Sequence, residues 1–158
     1  MPPIEHPVVR RFIEDAGNLT QALGFGRVMG QIYAMLYFSA EPRSLDDLTK
    51  DLAISKGSAS MCVRQLEALS AVQRVWVKGD RKDYYQANDY FGQIIRRGLQ
   101  EIMGRRVETL GQFIEEADRT VTGTNGDAFI RQRLDRLRAF QKKARKFWDN
   151  PLVKVMLK

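Results

Sequence analysis

Two short stretches of this chain carry side chains suited to binding a polyanion. The first is Ser55-Lys56-Gly57-Ser58-Ala59-Ser60-Met61, followed by Arg64, and it combines small, polar and basic residues. The second is Lys78-Gly79-Asp80-Arg81-Lys82, which holds three cations within five residues. Such hydroxyls and cations donate hydrogen bonds to phosphate oxygens, and small residues let a backbone approach base edges closely. These residues therefore favour non-covalent recognition of a nucleic acid.

The residues that covalent catalysis or metal binding would need are scarce. His6 is the only histidine and Cys62 the only cysteine, so neither a histidine-based catalytic set nor a zinc site is expected. Cys62 falls on the apolar side of a predicted helix, which favours a core thiol over a redox sensor. We therefore predict a protein that is not an enzyme and that uses no cofactor or metal.

A helix-turn-helix followed by a β-hairpin is predicted to carry both stretches. Ser44 and Ser55 are N-cap residue types, and each precedes apolar residues at helical spacing. The period then changes, because residues 73–77 and 83–87 are short segments rich in β-branched and aromatic residues. They flank the second basic stretch, where Gly79 can supply the positive φ of a tight turn. Two capped helices and such a hairpin make up a winged helix-turn-helix.

This arrangement fits duplex DNA. A helix about 10–12 Å wide enters the major groove, which is about 12 Å wide, and its N-terminal residues meet the base edges. A hairpin tip beside it reaches the minor groove, where the Arg81 guanidinium is attracted by the negative potential. The predicted DNA-contacting residues are Ser55, Lys56, Gly57, Ser58, Ser60, Met61 and Arg64 in the second helix, and Lys78, Asp80, Arg81 and Lys82 in the hairpin.

Other interpretations of the same residues stay open. Winged helices also serve as protein-docking modules, a serine at a helix start can act only as a cap, and a basic hairpin tip can be a solvated turn. Residues 44–88 hold 7 Lys and Arg against 6 Asp and Glu, so a DNA-binding face requires the cations to gather on one side. A winged-helix scaffold for a protein partner is therefore the alternative function.

Long helices are predicted on both sides of this segment. Apolar residues at three- and four-residue steps indicate helices at about 7–23, 27–39, 90–120 and 127–149, with a loop at 122–126 and an apolar tail after Pro151. The apolar positions of the first helix are Val8, Phe12, Ala16, Leu19 and Leu23. The last two long helices are too apolar on one side to stand alone, and a second subunit would bury them, although packing against the first helix is also open.

The expected fold is mainly α, a winged helix-turn-helix with a small antiparallel β-hairpin and helical dimerisation extensions. Residues 1–43 are assigned to N-terminal helices for dimerisation or support, 44–88 to the DNA-binding core and 89–158 to dimerisation helices. A homodimer of this kind would present two recognition helices about one helical turn of DNA apart, which favours a pseudo-palindromic operator.

The chain resembles the GbsR type of MarR-like transcription regulators over about residues 24–90. The segments that carry the resemblance are 26–34, 55–61 and 74–85, and the sequence Gly-Asp-Arg-Lys-Asp-Tyr-Tyr is the most specific part. The resemblance implies a dimeric winged-helix protein that binds DNA, often as a repressor, and sometimes answers to a small ligand. It also implies that residues 55–64 are recognition-helix positions and that Asp80, Arg81 and Lys82 form the wing.

Three aromatic residues are the candidates for an effector site: Tyr33, Tyr37 and Trp76. An aromatic cage can bind a quaternary ammonium ligand through cation–π attraction. The alternative for each residue is packing of a helix against the hairpin in the core.

The net charge of +7 favours a polyanionic partner. Residues 131–158 hold 10 Lys and Arg against 2 Asp and Glu, so the excess lies near the C-terminus. This segment is interpreted as a solvated helix face or as a surface that follows DNA, and the second interpretation allows a non-specific architectural DNA-binding protein. No secretory signal or membrane span is expected, and a single cysteine fits a reducing compartment, so we predict a cytoplasmic protein.

Overall fold

The structure is a computed structural model that describes residues 5–121 and 127–156 of the chain. The chain divides into two compact units, Met1–Ile95 and Arg96–Lys158. The predicted loop at 122–126 lies outside the described residues, as does Leu157 at the end of the predicted apolar tail.

The helices confirm the predicted order to within about two residues at each end. They are α1 (Pro7–Ala22), α2 (Arg27–Tyr37), α3 (Leu45–Leu52), α4 (Lys56–Ala68), α5 (Phe91–Thr120), α6 (Asp127–Asp149) and α7 (Pro151–Met156). The predicted apolar tail forms α7, because a proline is well tolerated in the first turn of a helix. Of α5, the residues up to Ile95 belong to the first unit and the rest belong to the second.

α3 and α4 begin at the predicted N-caps. Ser44 Oγ accepts the Asp47 N–H at 3.2 Å and Asp47 Oδ2 accepts the Ser44 N–H at 2.9 Å, which completes a capping box. Burial by itself would raise the pKa of Asp47, but the hydrogen bonds from Ser44 outweigh it and lower that pKa below its usual range. Ser55 Oγ accepts the Ser58 N–H at 3.1 Å. Between the helices Ala53 adopts φ 51°, so the chain turns sharply from α3 into α4.

A three-stranded antiparallel sheet completes the winged helix-turn-helix. Its strands are β1 (Arg43–Ser44), β2 (Val72–Val75) and β3 (Tyr84–Ala87), in the order β1-β3-β2. β2 and β3 confirm the predicted hairpin, and Gly79 lies in its turn with φ 87°. The sequence did not predict β1, in which Arg43 pairs with Tyr85, because two residues before a helix are too few to show a period.

α2 is the central helix of the first unit. Ile32, Ala34 and Met35 of this helix are completely buried, as expected for a helix that is apolar nearly all round. The side chains buried in the same core come from α3, α4, β2 and β3, and include Leu48, Ala59, Cys62, Val63, Leu66, Val72 and Tyr85. Only one side of α4 packs into this core.

The second unit contains the rest of α5, together with α6 and α7. Ile114 and Leu134 are buried. The Arg138 guanidinium pairs with Asp118, which joins the two long helices. Much of the remaining apolar surface of these helices faces solvent, as the phenylalanines of α6 show.

Candidate nucleic-acid interface

One face of α4 points away from the core and is uncovered. We call Gly57, Met61, Arg64 and Gln65 the outer stripe of α4; they follow one another at steps of four, three and one, and all four are exposed. Met61 is 54% exposed, and a Cβ added at Gly57 would have no neighbouring heavy atom within 4 Å. The opposite side of α4 is fixed in the core by Ala59, Cys62, Val63 and Leu66.

The three serines of this region have partners within the chain. Ser55 caps α4, and the Ser58 hydroxyl bonds to the Cys62 thiol. Ser60 accepts two hydrogen bonds from the Arg64 guanidinium, at 3.3 Å through its carbonyl and 3.2 Å through its hydroxyl. Ser58 and Ser60 are also partly buried, so the outer stripe offers more free surface than the serines do.

Gln65 belongs to the outer stripe but was not among the predicted site residues. Its position four residues after Met61 places it on the same helix face. That spacing is the signal from which it could have been found.

Asp80 shapes the wing, which is the hairpin of β2, β3 and their connecting turn. Its carboxylate accepts the Lys82 N–H at 3.0 Å and the Tyr84 hydroxyl at 2.8 Å. These two hydrogen bonds, the Lys82 N–H first, hold the pKa of Asp80 below its usual range. Lys78 and Arg81 project from the same turn, are exposed, and form no side-chain ion pair with any residue that the structure describes. The wing therefore presents two free cations around an internally bonded carboxylate.

Asp46, in the first turn of α3, joins the start of α4 to the wing. Lys56 Nζ lies 3.1 Å from Asp46 Oδ1, and Lys82 Nζ lies 3.1 Å from Asp46 Oδ2. The hydrogen bond from Lys82, followed by that from Lys56, lowers the pKa of Asp46. Sequence reasoning missed Asp46, because its ten- and 36-residue separations from the lysines follow no local pattern.

Arg74 of β2 is the remaining cation of the wing, and two acidic side chains neutralise it. Arg74 lies 3.8 Å from Glu67 and 3.4 Å from Asp83, and its guanidinium carbon is 5.8 Å from the centre of the Tyr85 ring. Arg74 is therefore exposed but paired with two carboxylates, whereas Lys78 and Arg81 of the turn have no such partner among the described residues.

The effector candidates fall in two places. The rings of Tyr33 and Tyr37 stack with centres 6.2 Å apart. The Tyr33 hydroxyl donates to the Asn88 carbonyl at 2.8 Å, and burial, with Tyr37 and Asp89 nearby, raises the pKa of Tyr33 to about 12. Trp76 does not join them: it follows β2 and is 77% exposed, so the alternative of core packing is wrong for this residue.

A polar cleft of about 340 Å³ lies beside Tyr37 in the first unit. Its lining also includes Gln73, Asn88, Asp89 and Tyr90. Tyr37 contacts Phe91 edge to face, with ring centres 5.5 Å apart. This cleft combines aromatic rings with one carboxylate.

Cys62 lies in the core of the first unit. It is 4% exposed, and burial raises the pKa of its thiol against a smaller opposite effect of the Ser58 hydrogen bond. A buried, protonated thiol reacts slowly, so this environment favours the core-thiol interpretation.

The described ranges contain no candidate metal-binding cluster and no candidate membrane-spanning helix. No group of three or more His, Cys, Asp or Glu side chains gathers there in a way that could hold a metal ion. None of the described helices combines the length and the apolar composition needed to cross a membrane.

Relatives of the chain are found by sequence, although no family model matches it. Three of these relatives are from Bacillus subtilis (strain 168). YvaV, named as a candidate HTH-type transcriptional regulator, is 29% identical over 85 residues, which are 53% of this chain and 48% of the relative. The HTH-type transcriptional repressor OpcR is 28% identical over 58% of this chain and 50% of its own length. The HTH-type transcriptional repressor GbsR is 28% identical over 66% of this chain and 58% of its own length. The chain therefore spans about half the length of the curated relatives it matches.

A solved structure agrees with the fold. It is described as the crystal structure of a transcriptional regulator, covers 96% of each chain at 23% identity and superposes with a TM-score of 0.60. The likeness confirms the predicted fold class. The sequence relatives confirm the resemblance to GbsR-type, MarR-like HTH transcriptional regulators, and the fold agrees with it.

Proposed function

We propose that the chain is a cytoplasmic transcriptional regulator that binds double-stranded DNA and has no catalytic activity. α4 is the recognition helix and the wing contacts the backbone beside it. The single observation that supports this most is the outer stripe of α4, which its own chain leaves uncovered while the inner side is fixed in the core. OpcR and GbsR are named repressors, so repression is the proposed outcome of binding.

Each residue of the outer stripe has a chemical role in this proposal. Gly57 lets the helix start approach the floor of the major groove. Arg64, now bonded to Ser60, exchanges these bonds for a guanine or a phosphate, and Gln65 can pair with an adenine edge. Met61 supplies apolar contact to a thymine methyl group.

A salt-dependent binding titration tests the proposal. Fluorescently labelled duplexes from the region upstream of the chain's own gene are compared with shuffled duplexes of equal length. Specific binding should exceed non-specific binding by about a thousandfold or more and should weaken steeply with salt. The absence of salt-sensitive binding to any duplex would contradict the proposal and favour a protein partner.

Arg81→Ala should weaken binding to all duplexes by about tenfold and reduce the salt slope by about one, because one phosphate or minor-groove contact is lost. Fluorescence anisotropy at four salt concentrations measures both quantities. Arg10→Ala on α1 is the matched control, since it removes the same charge from an exposed site away from the wing and from the side of α1 that carries Val8 and Phe12. If both variants bind alike, the wing does not touch DNA.

We also propose that the regulator is a homodimer on a pseudo-palindromic operator. The outward side of α1 carries Val8, Phe12 and Leu19, and Leu23 follows as its C-cap; all four are exposed, and Phe140 of α6 is 62% exposed. Apolar surface on this scale is typical of an interaction site. Residues 1–43 and 89–158 therefore supply the dimer helices, and 44–88 supplies the DNA-binding core.

Leu19→Glu and Phe140→Glu should each convert the dimer into a monomer, because a carboxylate at a subunit interface is desolvated without a partner. Light scattering coupled to size-exclusion chromatography gives the mass, with twice the 18.2 kDa of one chain expected for the unaltered protein. Gln21→Glu and Gln132→Glu are controls on exposed sites of the same helices. A monomeric parent protein, or dimers in all four variants, would contradict this part of the proposal.

The proposed regulator responds to a small-molecule effector in the cleft beside Tyr37. Tyr33 positions Tyr37 by stacking, and Asp89 offers a negative charge. Trp76, 77% exposed after β2, is left out of this proposed site. A ligand that binds there should raise the thermal midpoint of the parent protein but not that of Tyr37→Ala.

A further inference from the structure

The bridge made by Asp46 crosses the proposed interface. Lys56 opens the recognition helix, Lys82 belongs to the wing, and the three side chains of the bridge are more than half exposed. The bridge is therefore on the surface that would meet DNA. It also holds the cations of two separate elements at one point.

The Asp46 carboxylate binds the two lysine ammonium groups as a DNA phosphate would. Each of its two oxygens faces one ammonium group at 3.1 Å, and a DNA phosphate likewise offers two non-bridging oxygens to cations. A carboxylate there offsets one of the two lysine charges. It therefore lowers the attraction that these lysines exert on the DNA backbone.

We propose that Asp46 is a specificity-determining residue, which weakens attraction to DNA of any sequence and positions the wing against the start of α4. The inference rests on the proposed function. Non-specific affinity comes almost wholly from phosphate charge, whereas specific affinity also needs base contacts in a fixed geometry. A residue that lowers non-specific affinity and supports specific affinity raises the ratio of specific to non-specific affinity.

The charges around Asp46 agree with this role. The two lysines keep its pKa below the usual range, and Asp46 in turn raises the pKa of Lys82. Asp46 and Lys82 are therefore both charged at neutral pH, and the carboxylate offsets one positive charge at the point where the two lysines meet.

Asp46→Asn tests the proposal against Asp51→Asn. Asp51 lies on the same helix and pairs with Arg43 at 3.1 Å, so its change removes the same charge elsewhere. Asp46→Asn should bind shuffled duplexes about three- to tenfold more tightly, steepen the salt slope by about one and lower the ratio of specific to non-specific affinity about tenfold. Asp51→Asn should leave the ratio unchanged, and Asp46→Glu should restore it in part. Equal ratios in Asp46→Asn and Asp51→Asn would overturn the proposal.

An NMR titration without DNA tests whether the Asp46 bridge exists, independently of the proposed function. The Asp46 carboxyl resonance is titrated by NMR in the parent protein and in Lys82→Gln, where its midpoint should rise towards the ordinary value for aspartate. An unmoved midpoint shows that the bridge is absent and overturns the inference whatever the protein binds. A shifted midpoint in a protein that binds no duplex instead removes the proposed function, and the specificity role with it.

Discussion

Gly57→Glu is expected to lower the affinity for operator DNA about 100-fold or more without harming the fold. A Cβ at Gly57 would meet no atom within 4 Å, so the new side chain fits the free protein. In the complex it would place a carboxylate between the start of α4 and the DNA, where it meets phosphate repulsion and blocks close approach. Losing two or three contacts at about 1–3 kcal/mol each gives the expected loss.

The stability of this variant should be equal or higher. Glycine in a helix costs up to about 1 kcal/mol relative to other residues, and an acidic residue in the first turn interacts favourably with the helix dipole. Thermal unfolding followed by circular dichroism measures this, and anisotropy measures the affinity. If the affinity for DNA falls while the thermal stability is kept or rises, misfolding does not explain the loss of binding.

Gly92→Glu is the matched control. Gly92 is the second residue of α5 as Gly57 is of α4, and a Cβ there also meets nothing within 4 Å. It should gain similar stability and keep its affinity for DNA. Equal affinity losses in the two variants, or none in Gly57→Glu, would show that α4 is not the recognition helix.

Gly30→Ala is expected to have the largest effect on stability, a loss of about 3 kcal/mol in the free energy of unfolding, at the upper end of overpacking effects. A Cβ at Gly30 would lie 2.1 Å from the Ala16 carbonyl oxygen and 2.5 Å from Thr20 Oγ1. Backbone of α1 cannot yield as a flexible side chain does, so α1 must shift. That shift would also lengthen the hydrogen bond from the Gly30 N–H to Thr20 Oγ1, now 3.1 Å.

Urea denaturation at one fixed protein concentration measures this loss. Gly57→Ala serves for comparison, because the same chemical change at an uncrowded helix position should raise the free energy of unfolding by up to about 1 kcal/mol. An unchanged urea midpoint in Gly30→Ala would mean that α1 does not pack closely against α2 at this point.

Features with a local signal were predictable from the sequence. Ser44 and Ser55 mark the starts of α3 and α4 because a hydroxyl before an apolar run satisfies free N–H groups. Gly79 marks the wing turn because its positive φ disfavours other residues. α2 is apolar nearly all round its axis, which makes its central place in the core predictable.

Features set by tertiary contact were not predictable. α1 carries apolar residues on two faces. Helical spacing singled out Val8 and Leu19, which are exposed, and not Val9 and Ile13, which are buried. Packing against α2 makes that choice. The Asp46 bridge likewise depends on how α3, α4 and the wing meet in space.

Tethered cleavage of DNA is the most direct test that the outer stripe of α4 enters the major groove. Met61→Cys, at an exposed site, is labelled with an iron chelate that cuts nearby DNA, while Cys62 is 4% exposed and should stay unlabelled. The expected result is cleavage of the operator at two places about one helical turn apart. Background cleavage only, or the same pattern from a label at Lys50→Cys on α3, would contradict α4 as the recognition helix.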